Sequence, residues 1–257
     1  MSLRLVANWK LNGSIEFNHQ WALEFFRNFN GPNFSSLGIA PASLYIDHLK
    51  DVIADYDIKI GSQNIDLEET GARTGEISAS MIKDLGCVFS IIGHSERRIL
   101  FNETNQMICQ KLIQANNNSV IPILCIGESA EENQSNATFN VLQQQIIEAL
   151  EDVNELSSLI IAYEPIWAIG SGKIPNPEEI NSVHEMIKDV VQSRFPKIGL
   201  ESVLYGGSVN FKNASSLFEQ KNIDGALIGG ASLDGKEFAL IANVFNELRY
   251  NNDNHNN

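Results

Sequence analysis

Short apolar runs recur roughly every 20 to 40 residues along the chain, with amphipathic or polar segments between them. These runs predict strands at Leu3–Asn8, Leu37–Ala40, Ile58–Ser62, Val88–Ile92, Ile121–Cys125, Leu159–Tyr163, Ser202–Tyr205 and Ala226–Ile228. Between them, Ile15–Asn28 places Ile15, Trp21 and Phe25 near helical spacing. Glu103–Ala115, Val141–Leu150, Pro177–Arg194 and Phe238–Leu248 behave likewise. Pro177 followed by Glu178 and Glu179 is a helix start, with acids set favourably on the dipole. Strand and helix alternating through eight units imply a parallel sheet. Eight units in 257 residues predict closure into a single-domain α/β barrel, (β/α)8, over residues 1–250. An open doubly wound sheet is the alternative, but no G-x-G-x-x-G follows the first strand. Residues 251–257 are polar and of low complexity, and are expected to be a disordered tail.

Composition narrows the function. Hydrophobic residues make up 43% and charged residues 19%, a globular balance. Eighteen basic against 32 acidic residues leave a net charge of −14, which argues against nonspecific nucleic-acid binding or docking on anionic membranes. Any anionic ligand must therefore be captured locally, against the field of the whole protein. Cys87, Cys109 and Cys125 are odd in number and lack C-x-x-C spacing. That argues against a disulfide framework or a metal site, and it fits a reducing cytoplasm. No apolar run reaches the length of a membrane span.

In a barrel, chemistry collects where strands end and the following loops begin. After the first predicted strand come Asn8-Trp9-Lys10, and after the third Gln63-Asn64. The fourth is followed by Gly93-His94-Ser95-Glu96-Arg97-Arg98, and the fifth by Gly127-Glu128. Glu164-Pro165 follows the sixth, Gly206-Gly207-Ser208 the seventh and Gly229-Gly230-Ala231 the eighth. Pro165 cannot donate to a ladder and biases Glu164 towards an extended conformation, so a carboxylate stands at the end of a buried strand. The segment after it, Ile166-Trp-Ala-Ile-Gly-Ser-Gly-Lys173, combines apolar side chains that could cover a ligand with glycines that expose backbone amides.

The combination Ala7-Asn-Trp-Lys-Leu-Asn-Gly13, Gly93-His-Ser-Glu-Arg-Arg98, Ala162-Tyr-Glu-Pro-Ile-Trp-Ala-Ile-Gly-Ser-Gly-Lys173, Tyr205-Gly-Gly-Ser-Val209 and Leu227-Ile-Gly-Gly-Ala231 resembles the triosephosphate isomerases. The match runs in order from about residue 3 to residue 248. The resemblance implies a TIM barrel that interconverts dihydroxyacetone phosphate and D-glyceraldehyde 3-phosphate through an enediolate, with no cofactor and no metal. The implied setting is glycolysis and gluconeogenesis. Glu164 matches the family's base, His94 its electrophile and Lys10 its fixed positive charge. Asn8 supplies a further donor. Glu96 matches a supporting position, and could equally be a structural acid paired with Lys10 or an arginine. Ser208, Gly229, Gly230 and, in the lid, Gly170 match the phosphate site. Glycines let neutral amides converge on an anion, which answers the difficulty posed by the negative net charge.

The resemblance also implies a homodimer. Residues 63–76 match the family's protruding interface loop, so Thr74 would approach the site of a second copy and Glu76 could pair with its Arg97. Arg73 departs from the apolar or aromatic tip residue of that pattern. Pro165-Ile-Trp167 resembles the leading hinge of the lid. Lys173-Ile-Pro175 departs from the small-residue pattern of its trailing hinge. Two other readings share some of these features: a noncatalytic phosphate-binding barrel, and an isomerase of another small sugar phosphate.

Overall fold

The computed structural model describes residues 3–168 and 175–255, with side chains to residue 248. Eight parallel strands close into a barrel in chain order: β1 (Leu5–Asn8), β2 (Leu37–Ala40), β3 (Lys59–Ser62), β4 (Phe89–Ile92), β5 (Ile121–Ile126), β6 (Leu156–Tyr163), β7 (Ile198–Tyr205) and β8 (Gly225–Ile228). The barrel closes where Leu5 of β1 pairs with Ala226 of β8. Outside it lie α1 (Ile15–Asn28), α2 (Ile46–Val52), α3 (Ala79–Asp84), α4 (Ser95–Leu100), α5 (Asn105–Asn117), α6 (Ala130–Gln134), α7 (Thr138–Leu150), α8 (Pro177–Arg194), α9 (Ala214–Phe218) and α10 (Gly235–His255).

The long helices form for the reasons legible in their sequences. Ser14 caps α1 by accepting from the Phe17 amide at 2.9 Å. The buried stripe of α1, Trp21, Ala22 and Phe25, packs against α10, with the Phe25 and Phe238 ring centroids 5.8 Å apart. Asn176 caps α8 and Pro177 opens it. The five shortest helices, α2, α3, α4, α6 and α9, span only five to seven residues. That is too few for a helical period to show in sequence. β6 and β7 begin at Leu156 and Ile198, earlier than their apolar runs suggest, because exposed or half-buried residues such as Ser157 and Gly199 interrupt the pattern. The backbone of α10 continues to His255, past the boundary at residue 250; among its described side chains, Phe245 is the last buried apolar one.

The core has two layers. One lies between strands and helices. The other fills the barrel, with Val6, Phe89, Ile91, Ile123, Ile160 and Leu204 among its members. Phe89 occupies space that two glycines leave free: a Cβ at Gly61 would stand 2.4 Å from its ring, and one at Gly38 2.9 Å. These glycines therefore let a bulky ring plug the interior.

One buried group couples this fold to pH. His184 on α8 is fully buried, and its Nδ1–H donates to the Asn222 carbonyl at 3.3 Å. Its Nε2 has no hydrogen-bond partner among the described residues. Burial pushes the imidazole down to about 3. The folded value lies below the unfolded one, so the unfolded chain takes up the proton first. The contribution of His184 to stability is complete above about pH 6.5 and is lost as pH falls towards 3. Wild-type protein is expected to lose more stability between about pH 7 and about pH 4 than His184→Gln, by up to roughly 3 kcal/mol. Urea unfolding at both pH values measures this, and equal losses would exclude His184 as the cause.

Candidate active site

The carboxyl ends of the strands enclose a cavity of about 260 Å³. Asn8, Lys10, His94 and Glu164 line it, together with Gly206–Val209 after β7 and Leu227 and Gly229–Ala231 at the end of β8. Residues as far apart in sequence as Asn8 and Ala231 therefore meet at one end of the barrel, because parallel strands all deliver their carboxyl ends to the same face.

Glu164 follows β6 and is 2% exposed. Its Oε1 stands 2.9 Å from His94 Nε2, and its Oε2 accepts from the Ser95 amide at 3.0 Å. Burial opposes its ionisation. The imidazole, the Ser95 amide and the Lys10 ammonium outweigh burial and hold the carboxyl below its ordinary value. His94 caps α4: its Nδ1 accepts from the Glu96 amide at 3.2 Å. That bond places the ring proton on Nε2, facing Glu164. Burial disfavours an imidazolium and the Glu164 carboxylate favours one. In this direct contact the carboxylate prevails, and the imidazole lies above its usual value.

Lys10 has φ +52°, a left-handed conformation uncommon for a side-chain-bearing residue. The turn is braced by the Lys10 amide donating to Asn8 Oδ1 at 3.1 Å and by Gln63 Nε2 donating to the Lys10 carbonyl at 2.9 Å. Its Nζ pairs with Glu96 Oε1 at 2.7 Å. Of the cations open to Glu96, Lys10 rather than an arginine is the one it meets.

The glycines around Glu164 answer to contacts, not only to turns. A Cβ at Gly127 would lie 1.8 Å from the Glu164 carbonyl oxygen, and one at Gly206 would lie 2.7 Å from its Cγ. At Gly207 it would meet the Tyr205 hydroxyl at 2.2 Å. A Cβ at Gly230 would meet nothing within 4 Å among the described residues. It opens the 3-10 turn Gly230–Leu233 after β8. The sequence placed Gly127 after its strand without a role, because nothing local reveals whose backbone it must approach.

The start of the expected lid, after β6, lies within the described residues. Ile166–Ala168 form a 3-10 turn, and Trp167 Nε1 donates to Glu128 Oε1 at 2.7 Å. Tyr163 donates to the same oxygen at 3.2 Å. Burial raises the Glu128 carboxyl, partly offset by these donors. Ser208 Oγ donates to the Ala168 carbonyl at 3.3 Å, tying the lid root to the loop after β7. Pro175 is buried. Gly170, with residues 169–174, lies outside the described residues.

On the expected interface loop, Thr74 and Glu76 are exposed. Arg73 folds back onto Asp66 of its own loop at 2.6 Å. Arg97 pairs with Glu103 of its own chain at 2.6 Å and lies over the Phe101 ring. Among the described residues there is no group of three or more His, Cys, Asp or Glu placed to hold a metal ion. No helix among them is long and apolar enough to cross a membrane.

Fold and site together define a (β/α)8-barrel enzyme of the acid–base kind, with its polar groups gathered at the strand ends. The chain belongs to the triosephosphate isomerase family, whose sequence profile matches residues 4–245. A triosephosphate isomerase from Nitrosococcus oceani is 42% identical over 240 residues, covering 92% of this chain and 96% of the relative. One from Serratia proteamaculans is 41% identical, covering 92% and 94%. The crystal structure of the Bartonella henselae triosephosphate isomerase superposes with a TM-score of 0.82 at 33% identity, covering 95% of this chain and 99% of that one.

Proposed function

We propose that the chain interconverts dihydroxyacetone phosphate and D-glyceraldehyde 3-phosphate, with Glu164 as the base that moves a proton between adjacent carbons. The observation that carries this reading is the buried His94 Nε2–Glu164 Oε1 contact of 2.9 Å on the wall of a cavity that Lys10 and two glycine pairs also line. A carboxylate suits the step because its two oxygens reach two neighbouring carbons without the group moving far. His94 and Lys10 supply donors to the two substrate oxygens between which charge passes, and Asn8 adds another. Substrate lodged between His94 and Glu164 would remove the contact that raises the imidazole. Burial, Lys10 and the amide at Nδ1 would then favour the neutral ring. Glu96 supports Lys10 by fixing its ammonium.

The phosphate is assigned to Ser208, Gly229 and Gly230, with Gly170 of the lid closing over it. The open space at Gly230 supports this, since a side chain there would obstruct the approach of an anion. An enediolate phosphate can eliminate phosphate in water, which gives the lid its purpose. Triose phosphate isomerisation coupled to NADH oxidation tests the reading, and a purified, folded protein without activity would refute it. The relatives at 41% to 42% identity weigh against a noncatalytic barrel or a different sugar phosphate.

The same reading includes a homodimer and residence in the cytoplasm. Leu11 is 98% exposed and Leu44 88%, and Leu100 and Phe101 are also exposed. Such apolar surface suits contact with a second copy. Thr74 would reach the partner's site, and Glu76 would compete with Glu103 for Arg97 across the interface. Sedimentation at about micromolar concentration is expected to give a dimer, and a fully active monomer would refute this. The three cysteines are free and buried, as suits a reducing compartment.

A further inference from the structure

His94 follows β4 and Glu164 follows β6, with β5 between them in the barrel. The separation of the two side chains is therefore set through the end of β5. On one side the Glu164 amide donates to the Ile126 carbonyl at 2.7 Å, tying β6 to β5. On the other side the register of β4 and β5 ends at Ile92 beside Leu124. Beyond that pair a side chain replaces the ladder. Arg98 Nε donates to the Gly93 carbonyl at 2.8 Å, and Arg98 Nη2 donates to the Cys125 carbonyl at 3.0 Å. Its third nitrogen, Nη1, donates to Asn105 Oδ1 at 2.5 Å, and Asn105 Nδ2 in turn donates to Glu148 Oε2 at 2.6 Å. The guanidinium is thus gripped from behind by α5 and α7 while it holds two strand ends.

The geometry points to Arg98 as a positioning residue: by tying the Gly93 carbonyl of β4's end to the Cys125 carbonyl of β5's end, it fixes the distance between His94 and Glu164. Gly93, the residue before His94, has φ +70°, and a Cβ there would meet Ile108 at 2.6 Å. The turn carrying the imidazole is therefore tight. A shift of the Gly93 carbonyl passes directly to the ring. Only a planar fork can meet two carbonyls and an amide oxygen at once, and an ammonium is a point charge on a flexible stem. Arg98 hydrogen-bonds to neither His94 nor Glu164; its charge also acts on the Glu164 carboxylate, and Arg98→Lys keeps that charge, so a fall in that variant reads placement.

The inference rests on Glu164 and His94 being the reacting pair, and the experiment separates the two claims. Arg98→Lys, Arg98→Ala and Glu164→Gln are assayed together. Arg98→Lys is expected to lower kcat about 10-fold or more with KM within about 2-fold, because misplacement of catalytic groups costs rate rather than binding. Arg98→Ala is expected to fall further, and guanidinium ion at about tens of millimolar to restore part of its kcat where sodium chloride does not. If neither Arg98 variant folds, Asn105→Ala carries the test through loss of the guanidinium's anchor, with a several-fold fall in kcat at unchanged KM. Unchanged kcat in folded Arg98→Lys, or in Asn105→Ala where only that variant folds, overturns the role of Arg98. Full activity in Glu164→Gln instead overturns the reading beneath it.

Discussion

Glu164→Gln is expected to keep the fold and lose roughly 10²-fold or more in kcat. Both carboxylate oxygens accept: Oε1 from His94 Nε2–H and Oε2 from the Ser95 amide. A glutamine of the same shape has one acceptor and one donor. One of the two partners would then face an NH2 group, in a site only 2% exposed where water cannot compensate. The amide also cannot take a proton at any accessible pH. Glu164→Asp keeps the charge but withdraws it by one methylene, and misplacement on that scale is also costly. The wild-type pH profile adds a signed check. In the free enzyme the carboxylate holds the imidazole above its usual value and is itself held below its own, so His94 is the first of the pair to take up a proton as pH falls. Loss of kcat/KM on acidification is therefore expected to begin above the ordinary imidazole range, and an acid limb at an ordinary glutamate value would contradict the charge environment described for the site.

The eight strands and their shared carboxyl end were legible because parallel strands buried on both faces read as continuous apolar runs. Lys10, His94 and Glu164 stood out because each follows such a run directly. What the sequence hid was pairing across the barrel. Glu96 finds Lys10, 86 residues away, and Arg97 pairs with Glu103 of its own chain. Arg98 looked like one of two adjacent arginines, yet its guanidinium reaches Cys125 and Asn105. Such choices depend on which strand ends lie side by side, and a linear pattern carries no such information. The start of α4 near Ser95 was legible beside His94. Other short helices were missed for a different reason: α3, for example, is six residues whose start is fixed by a Ser78 cap, not by an apolar stripe.

Gly127→Ala is expected to damage stability and turnover together, and more severely than its size suggests. Its added methyl would stand 1.8 Å from the Glu164 carbonyl oxygen and 2.8 Å from the carbonyl carbon, both backbone atoms that no rotamer can move aside. The Gly127 peptide is itself clamped by Gln145, whose Oε1 accepts from the Gly127 amide at 2.9 Å and whose Nε2 donates to its carbonyl at 2.9 Å. Neither side of the clash yields freely, so the ends of β5 and β6 must part. Overpacking of this kind costs about 1–3 kcal/mol or more, and a base displaced by about 1 Å costs on the order of 10²-fold in rate. Thermal unfolding and kcat of the same preparation read the two effects. Gly230→Ala is the contrast, since its methyl would meet nothing within 4 Å: its melting temperature is expected to match wild type while KM rises as the anion's approach is obstructed. Equal stability and equal kcat in Gly127→Ala would mean that the Glu164 strand end is not held where this geometry puts it.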